Sequence, residues 1–352
     1  MTIASLAIIG AGTMGTGIMI NAAVSGFDVT LVDRSEETLA AAETRLSDYL
    51  ARQVAKERVT EAQAQVAQHR VRLTTDLAEV APADLVIEAV FEEIGVKRQL
   101  MAELEQILPA ATLIASNTSS LLIADIGAQM AHPERLCGLH YFSPAEVNPV
   151  VEYVEAEATN PRLYDRIGPF LKATGRQVVR CKDAPGFALN RFFVPYLNEA
   201  VRLVDEGIET PGEIDLVATQ RLGLPLGPFA VSNIIKPIVV LRAAESLAPL
   251  GAFYHPADKL LSQGHSGENW EINDTHSQPQ RADLIETRLR GALYLPLREI
   301  AAEQIADAAE IDQAATAAFR FPDGLYAQMG KIGEVEVTRL INEVTATRTR
   351  AA

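Results

Sequence analysis

The chain reads as an α/β domain on a mostly parallel sheet, followed by an all-α domain with two repeated helical modules. Three features of its 352 residues carry that reading. A glycine-rich turn at residues 10–15 separates a short apolar run from a helical pattern. Further apolar runs of strand length, most ending in polar residues, recur through the first half. After the Pro-Gly pair at 185–186 the apolar spacing becomes helical, and one seventeen-residue segment occurs twice. Alternation of strand runs with helical patterns is the signature of a parallel sheet, whereas helical spacing alone requires helix-on-helix packing.

Leu6 to Ile9 form a short apolar run suited to a strand buried on both faces. Gly10, Gly12 and Gly15 follow in G-x-G-x-x-G spacing, with Thr13 and Met14 inside the turn. The first glycine makes the tight turn, the second admits a pyrophosphate close to the backbone, and the third allows helix–strand contact. The helix that begins there offers unsatisfied N–H groups to phosphate. The apolar stretch from Ile18 to Val24 is a buried helix, because Asn21 and Gly26 interrupt it too early for a membrane span. A second strand, Val29 to Val32, ends in Asp33, eighteen residues after Gly15. An acid at that place accepts from a ribose 2′-hydroxyl and repels a 2′-phosphate, so NAD is favoured over NADP despite Arg34. This is the context of a Rossmann-type dinucleotide site.

Residues 36–70, rich in Ala, Leu, Glu, Arg and Gln, predict one or two helices, an insertion larger than a crossover requires. Arg52, Lys56 and Arg58 within it are either a solvated helix face or an anchor for an anionic substrate handle. Strand runs at 71–76, 83–90 and 111–120 follow. Ligands gather at the carboxyl ends of such strands, which puts Glu92, Lys97, Asn117 and Ser119 on the ligand side. Ser119 also suits the N-cap of a helix over the "LLIADI" segment. In "GLHYFSPAEVNPVVE", His140 precedes Glu152 by twelve residues in an apolar setting. His140 is either a proton-transfer residue partnered by Glu152 or a structural histidine that merely ends a strand. Glu152 in "NPVVEYV" is costly to bury unpaired, and His140 offers a partner.

A boundary is expected near Asp183, dividing residues 1–183 from 184–352. Within the second part, "EIDLVATQRLGLPLGPF" (213–229) matches "EIDQAATAAFRFPDGLY" (310–326) at seven of seventeen positions. A helix precedes each copy, with Pro195/Glu199 in the first and Pro296/Glu299 in the second, and Pro195 predicts a kink. The copies are expected at about 185–247 and 287–335, packed face to face. The polar stretch 262–281 between them reads as a loop, and His255, His265 and His276 as surface residues.

Composition narrows the function. A net charge of −15 argues against nucleic acid as a partner. Cys137 and Cys181 lack metal-ligand spacing, so a disulfide-free cytoplasmic chain without a metal is expected. No apolar stretch reaches the roughly 18 residues of a membrane span, so no membrane partner is expected.

The motifs "GAGTMGTGI", "VDRSEE", "DLVIEAVFEEIGVKRQL", "SNTSSL", "GLHYFSP…VVE", "KDAPGFALNR" and "LGLPLGPF" together resemble the L-3-hydroxyacyl-CoA dehydrogenases. The resemblance runs nearly continuously from residue 1 to about 245, and the repeat is similar to the tandem C-terminal modules of the longer members. It implies an NAD-binding Rossmann domain, a helical second domain, and reversible oxidation of (3S)-3-hydroxyacyl-CoA to 3-oxoacyl-CoA. It further implies His140 as catalytic base, Glu152 as its partner, and Ser119 and Asn190 as polar residues holding substrate or cofactor near the reacting carbon. Asp33, Glu92 and Lys97 match positions that contact NAD, and Lys56 is nearest to the basic residue that reaches the CoA phosphates.

This chain departs from the family at three places. Ser143 stands where members usually carry Asn, "AVSNIIKP" with Lys236-Pro237 replaces an acidic, glycine-containing segment, and "GHSGENWEI" replaces a Lys-Thr-Gly stretch. These departures bear on the acyl group rather than on the redox chemistry. A dehydrogenase of free hydroxy acids or carrier-protein thioesters is the alternative within enzymes, and a non-catalytic NAD-binding protein the alternative outside them. The repeat is compatible with a homodimer or with a monomer containing an internal pseudo-dimer.

Overall fold

The computed structural model describes residues 3–272 and 280–349, which divide after Asp183 into two compact units. His276 and the 273–279 part of the expected loop lie outside the described residues. No described helix is long and apolar enough to cross a membrane.

The first unit is an eight-stranded sheet flanked by helices. Its strands are β1 (Ser5–Ile9), β2 (Asp28–Val32), β3 (Val71–Thr74), β4 (Leu85–Glu88), β5 (Leu113–Ser116), β6 (Leu136–Tyr141), β7 (Val150–Glu155) and β8 (Gln177–Lys182). They lie in the order β3-β2-β1-β4-β5-β6-β7-β8. All neighbours are parallel except β6 and β7. Reversal of strand order beside β1 opens a crevice at the carboxyl ends of β1 and β4, where ligands bind such sheets. The helices are α1 (Thr13–Val24), α2 (Glu36–Ala55), α3 (Glu61–His69), α4 (Ile94–Ile107), α5 (Ile123–Gly127) and α6 (Leu163–Ala173). Ser35 caps α2, and a Thr60–Gln63 capping box starts α3, so the inserted segment is two helices with a turn between them. The sheet centre is closed by Ile8, Leu31, Ile87, Ala115 and Leu139, all fully buried.

Ser119 is not the cap of α5. That helix begins at Ile123, and its first amides donate to the Asp183 carboxylate at 2.9 and 2.8 Å. The Ser119 amide turns instead to Glu92.

The second unit is all-α: α7 (Leu189–Asp205), α8 (Pro211–Arg221), α9 (Pro228–Ile235), α10 (Pro237–Leu247), α11 (Asp258–Ser266), α12 (Ala282–Glu303), α13 (Ala308–Ala318), α14 (Leu325–Ile332) and α15 (Glu334–Thr349). Helices α7 to α10 correspond to α12 to α15 in a register of 97 positions. Asp215 accepts from the Phe229 and Ala230 amides, and Asp312 from those of Tyr326 and Ala327. Left-handed backbone recurs in the same register at Gly207 and Gln304, Gly223 and Arg320, and Lys236 and Gly333. Arg191 of α7 pairs with Glu303 of α12, and reciprocally Arg288 of α12 pairs with Glu206, the residue that caps the end of α7, at 2.6 Å. A self-complementary contact of this kind is what a two-fold axis generates.

This register corrects the alignment upstream of the repeat. Pro195 corresponds to Ala292 rather than Pro296, and the second copy starts with α12 at Ala282 and extends into α15. Both α7 and α12 continue through their prolines.

Candidate active site

Four segments of the first unit meet at the carboxyl ends of its strands. The turn after β1 is shaped by its glycines. Gly10 has φ +104°, and a Cβ there would strike the Ala89 carbonyl; a Cβ at Gly15 would strike the Gly10 carbonyl. Above Gly12, by contrast, there is open space, and α1 starts at Thr13 without a side-chain cap. Gly12 and Thr13 are exposed and Met14 is half-buried. Asp33 closes β2 beside this turn. Its Oδ2 accepts from the Ala11 amide at 2.8 Å and its Oδ1 from the Ser35 amide at 3.0 Å.

At the end of β4 lies a buried charge cluster that sequence reasoning saw only in part. Lys97 of α4, 1% exposed, places Nζ 2.6 Å from Glu88 Oε1 and 3.1 Å from Glu92 Oε2. Glu88 also accepts from the Ser116 hydroxyl at 2.5 Å and the Val90 amide at 2.7 Å. Glu92 Oε1 gathers the Ser119 amide at 3.0 Å, the Ser120 amide at 3.2 Å, the Ser120 hydroxyl at 3.0 Å and the Thr118 hydroxyl. Burial alone would raise its pKa, but the Lys97 charge and these donors outweigh burial and hold Glu92 below the ordinary range. Lys97 thus sits between two carboxylates and, through Glu92, shapes the Ser119 turn. Glu88 was the missed member; a carboxylate inside the apolar run "LVIEAV" is the signal that points to it.

His140 and Glu152 face each other across the antiparallel pair β6–β7, which brings residues twelve apart in sequence into register. His140 Nδ1 lies 2.6 Å from Glu152 Oε2; the histidine is 5% exposed and the glutamate fully buried. The imidazole tilts against Phe142, with ring centroids 4.3 Å apart. Asn117, after β5, accepts from the Tyr141 amide at 3.0 Å and so ties the "SNTSS" turn to the histidine strand.

The loop after His140, which begins at exposed Ser143, is held by two arginines that sequence reasoning missed. Arg176 donates to the carbonyls of Ala145, at 2.9 Å, and Asn148, and to Asn21 Oδ1 at 3.0 Å. Arg45 of α2 donates to both oxygens of Glu146 at 2.8 Å and to the Thr13 carbonyl at 2.8 Å, linking this loop to the glycine turn. No local motif marks either arginine, because their partners lie more than 25 positions away.

Residues 5–184 match the family model for the 3-hydroxyacyl-CoA dehydrogenase NAD binding domain, and residues 186–268 match its C-terminal domain. The chain belongs to the 3-hydroxyacyl-CoA dehydrogenase family. A probable 3-hydroxyacyl-CoA dehydrogenase of Caenorhabditis elegans is 38% identical over 237 residues, which is 66% of this chain and 77% of that protein. The crystal structure of (S)-3-hydroxybutyryl-CoA dehydrogenase PaaH1 from Ralstonia eutropha superposes with a TM-score of 0.73 at 30% identity, covering 77% of this chain and 96% of that one. A 3-hydroxybutyryl-CoA dehydrogenase structure from Escherichia coli shares the fold over 99% of this chain and 95% of its own, with a TM-score of 0.89 at 24% identity.

As a 3-hydroxyacyl-CoA dehydrogenase the chain is an NAD-dependent oxidoreductase. Two expected site residues of this dehydrogenase belong to other segments. Asn190 belongs to the second unit, half-buried in the first turn of α7. Lys56 is exposed at the end of α2, flanked by exposed Arg52 and Arg58. Among the described residues no group of three or more His, Cys, Asp or Glu side chains could hold a metal ion.

Proposed function

We propose that this dehydrogenase oxidises (3S)-3-hydroxyacyl-CoA to 3-oxoacyl-CoA with His140 as general base and Glu152 as its partner. The pairing of the two across β6 and β7 carries this reading. An ionised carboxylate only accepts hydrogen bonds, so Nδ1 donates to Glu152 and Nε2 takes the proton of the substrate hydroxyl. The buried carboxylate then stabilises the imidazolium that forms. Ser119 and Asn190 donate to the substrate oxygen as it changes from hydroxyl to carbonyl, and Lys56 meets the CoA phosphates.

Bound NAD would supply the acceptor for the hydride that leaves C3. Open space above Gly12, the uncapped start of α1 and Asp33 beside them fit a dinucleotide, which the turn of Gly12, Thr13, Met14 and Gly15 would hold by its pyrophosphate. In the same reading Gly10, Asn117, Glu92 and Lys97 complete the cofactor side, Glu92 and Lys97 by holding the Ser119 turn. A cytoplasmic setting, with Cys137 and Cys181 as buried thiols, belongs to the proposal.

NADH oxidation with acetoacetyl-CoA and longer 3-oxoacyl-CoAs, in wild type and His140→Ala, tests the assignment. Turnover abolished in the variant is expected, and turnover unchanged removes the base. Reciprocal pairing of Arg191 with Glu303 and Arg288 with Glu206 supports a monomer whose two modules pack as a pseudo-dimer. Light scattering that shows a dimer would refute that assembly.

A further inference from the structure

Residues 142–149 join the His140 strand to the Glu152 strand, and α1 holds them at three successive turns. At the first, Arg45 donates to the Thr13 carbonyl and to both Glu146 oxygens, all at 2.8 Å. At the second, the loop packs directly on Gly17, where a Cβ would come 2.7 Å from Glu146 Oε2 and 3.0 Å from the Ala145 Cβ. At the third, Asn21 Oδ1 accepts from Arg176, which also donates to the Ala145 and Asn148 carbonyls. Residues 13, 17 and 21 are four apart and so share one ridge of the helix. Asn21 and Arg176 are buried, whereas the Arg45 and Glu146 side chains are 29 and 13% exposed. An ion pair that touches solvent adds little stability, so the inner contacts anchor the loop and the outer pair is dispensable for folding.

That outer pair lies where α1 begins. Thr13 is the first residue of the helix, in the glycine turn, and the loop on the other side of the pair leaves β6 just after His140 and Tyr141. We propose that Arg45 and Glu146 are positioning residues of the dehydrogenase reaction, holding the His140–Glu152 hairpin at a fixed distance from the cofactor turn. This rests on the function proposed above. Hydride transfer needs reacting atoms about 3–3.5 Å apart, with the base aligned in the same complex. The base stands on β6 and the turn follows β1, with β4 and β5 between them. Their spacing therefore depends on what ties the two segments together. Arginine suits the link because its planar fork engages two partners in fixed geometry, one nitrogen on Thr13 and the other on Glu146. Both residues act through the loop and the turn rather than on the substrate.

The test compares the full chain with Arg45→Met, Glu146→Gln and the double variant, using saturating NAD and (S)-3-hydroxybutyryl-CoA. Each single change is expected to lower kcat by about tenfold or more, since a misplacement of about 1 Å costs up to about 100-fold. The KM for the thioester, NADH affinity read from its fluorescence, and the thermal unfolding midpoint should hardly move. The double variant should be no slower than the slower single, because both changes break one link. Arg70→Met, which removes another ion pair of this unit, with Asp28 at 2.7 Å, is expected to keep the wild-type kcat. An unchanged kcat in both single variants overturns the inference. So do losses that multiply in the double variant or that Arg70→Met matches. A fall in kcat with a proportionate fall in the unfolding midpoint also overturns it, because the pair is then only structural. Wild type inactive on the thioester would instead overturn the underlying function, and the positioning role with it.

Discussion

Replacing Glu152 by Gln keeps the shape of the pair and removes its charge. Glu152 is fully buried and its Oε2 lies 2.6 Å from His140 Nδ1, so water offers no substitute partner. A hydrogen bond to a charged group contributes about 1.5–3 kcal/mol. At 1.36 kcal/mol per tenfold, its loss alone slows the step by roughly 10- to 150-fold. The amide adds a second effect. Its NH2 can donate to Nδ1, which favours the tautomer with the proton on Nε2, where the base must be unprotonated. General-base catalysis itself is worth about 10²- to 10⁴-fold. Glu152→Gln is therefore expected to lower kcat for oxidation of (S)-3-hydroxybutyryl-CoA by about 10³-fold, within the range of those two effects. The KM for NAD should hardly move, because the glycine turn is untouched. Steady-state NADH formation with both substrates varied reads the two constants separately. A variant within threefold of wild type, while His140→Ala is inactive, would show that the carboxylate does not orient or stabilise the imidazole.

Other expected outcomes follow from the same geometry. Gly12→Ala places a methyl in open space, so thermal unfolding should match wild type while the KM for NAD rises about tenfold or more; unchanged NAD affinity would move the pyrophosphate elsewhere. Lys97→Met strands two carboxylates and should lower stability in urea by about 3–5 kcal/mol, with part of the loss recovered in Lys97→Met/Glu88→Gln. Full stability of the single variant would contradict the ion cluster. Burial raises the Asp215 carboxyl to about 6, against the pull of the Phe229 and Ala230 amides, so the folded state binds its proton more tightly than the unfolded state does. Stability should then fall as pH rises from about 4 through 6 and level off above, by about 3 kcal/mol relative to Asp215→Asn, at 1.36 kcal/mol per pKa unit. Parallel pH curves for the two proteins would refute the shift.

Much of this molecule was legible in its sequence because the chemistry was local. A tight turn needs Gly10 and helix–strand contact needs Gly15, each within a few residues of the strand it serves, and an acid at the next strand's end stands at a fixed distance along the chain. Apolar runs and helical spacing announced the strands and helices, and the seventeen-residue repeat announced the duplication. Tertiary structure alone decided which distant groups share a site. The antiparallel turn between β6 and β7 set His140 against Glu152 in a hydrogen-bonded pair. Glu88 became the partner of Lys97, and Arg45 and Arg176 became the clamps of the loop after His140, through contacts that no spacing rule encodes. The 97-position register was visible in the sequence only across 213–229 and 310–326; its extension upstream into α7 and α12 was visible only once the left-handed residues and the reciprocal Arg–Glu pairs were placed in space. Left-handed backbone and charge pairing constrain conformation and geometry rather than residue identity, so Gln304, Arg320 and Lys236 can occupy positions whose counterparts are glycines without leaving a trace in the sequence.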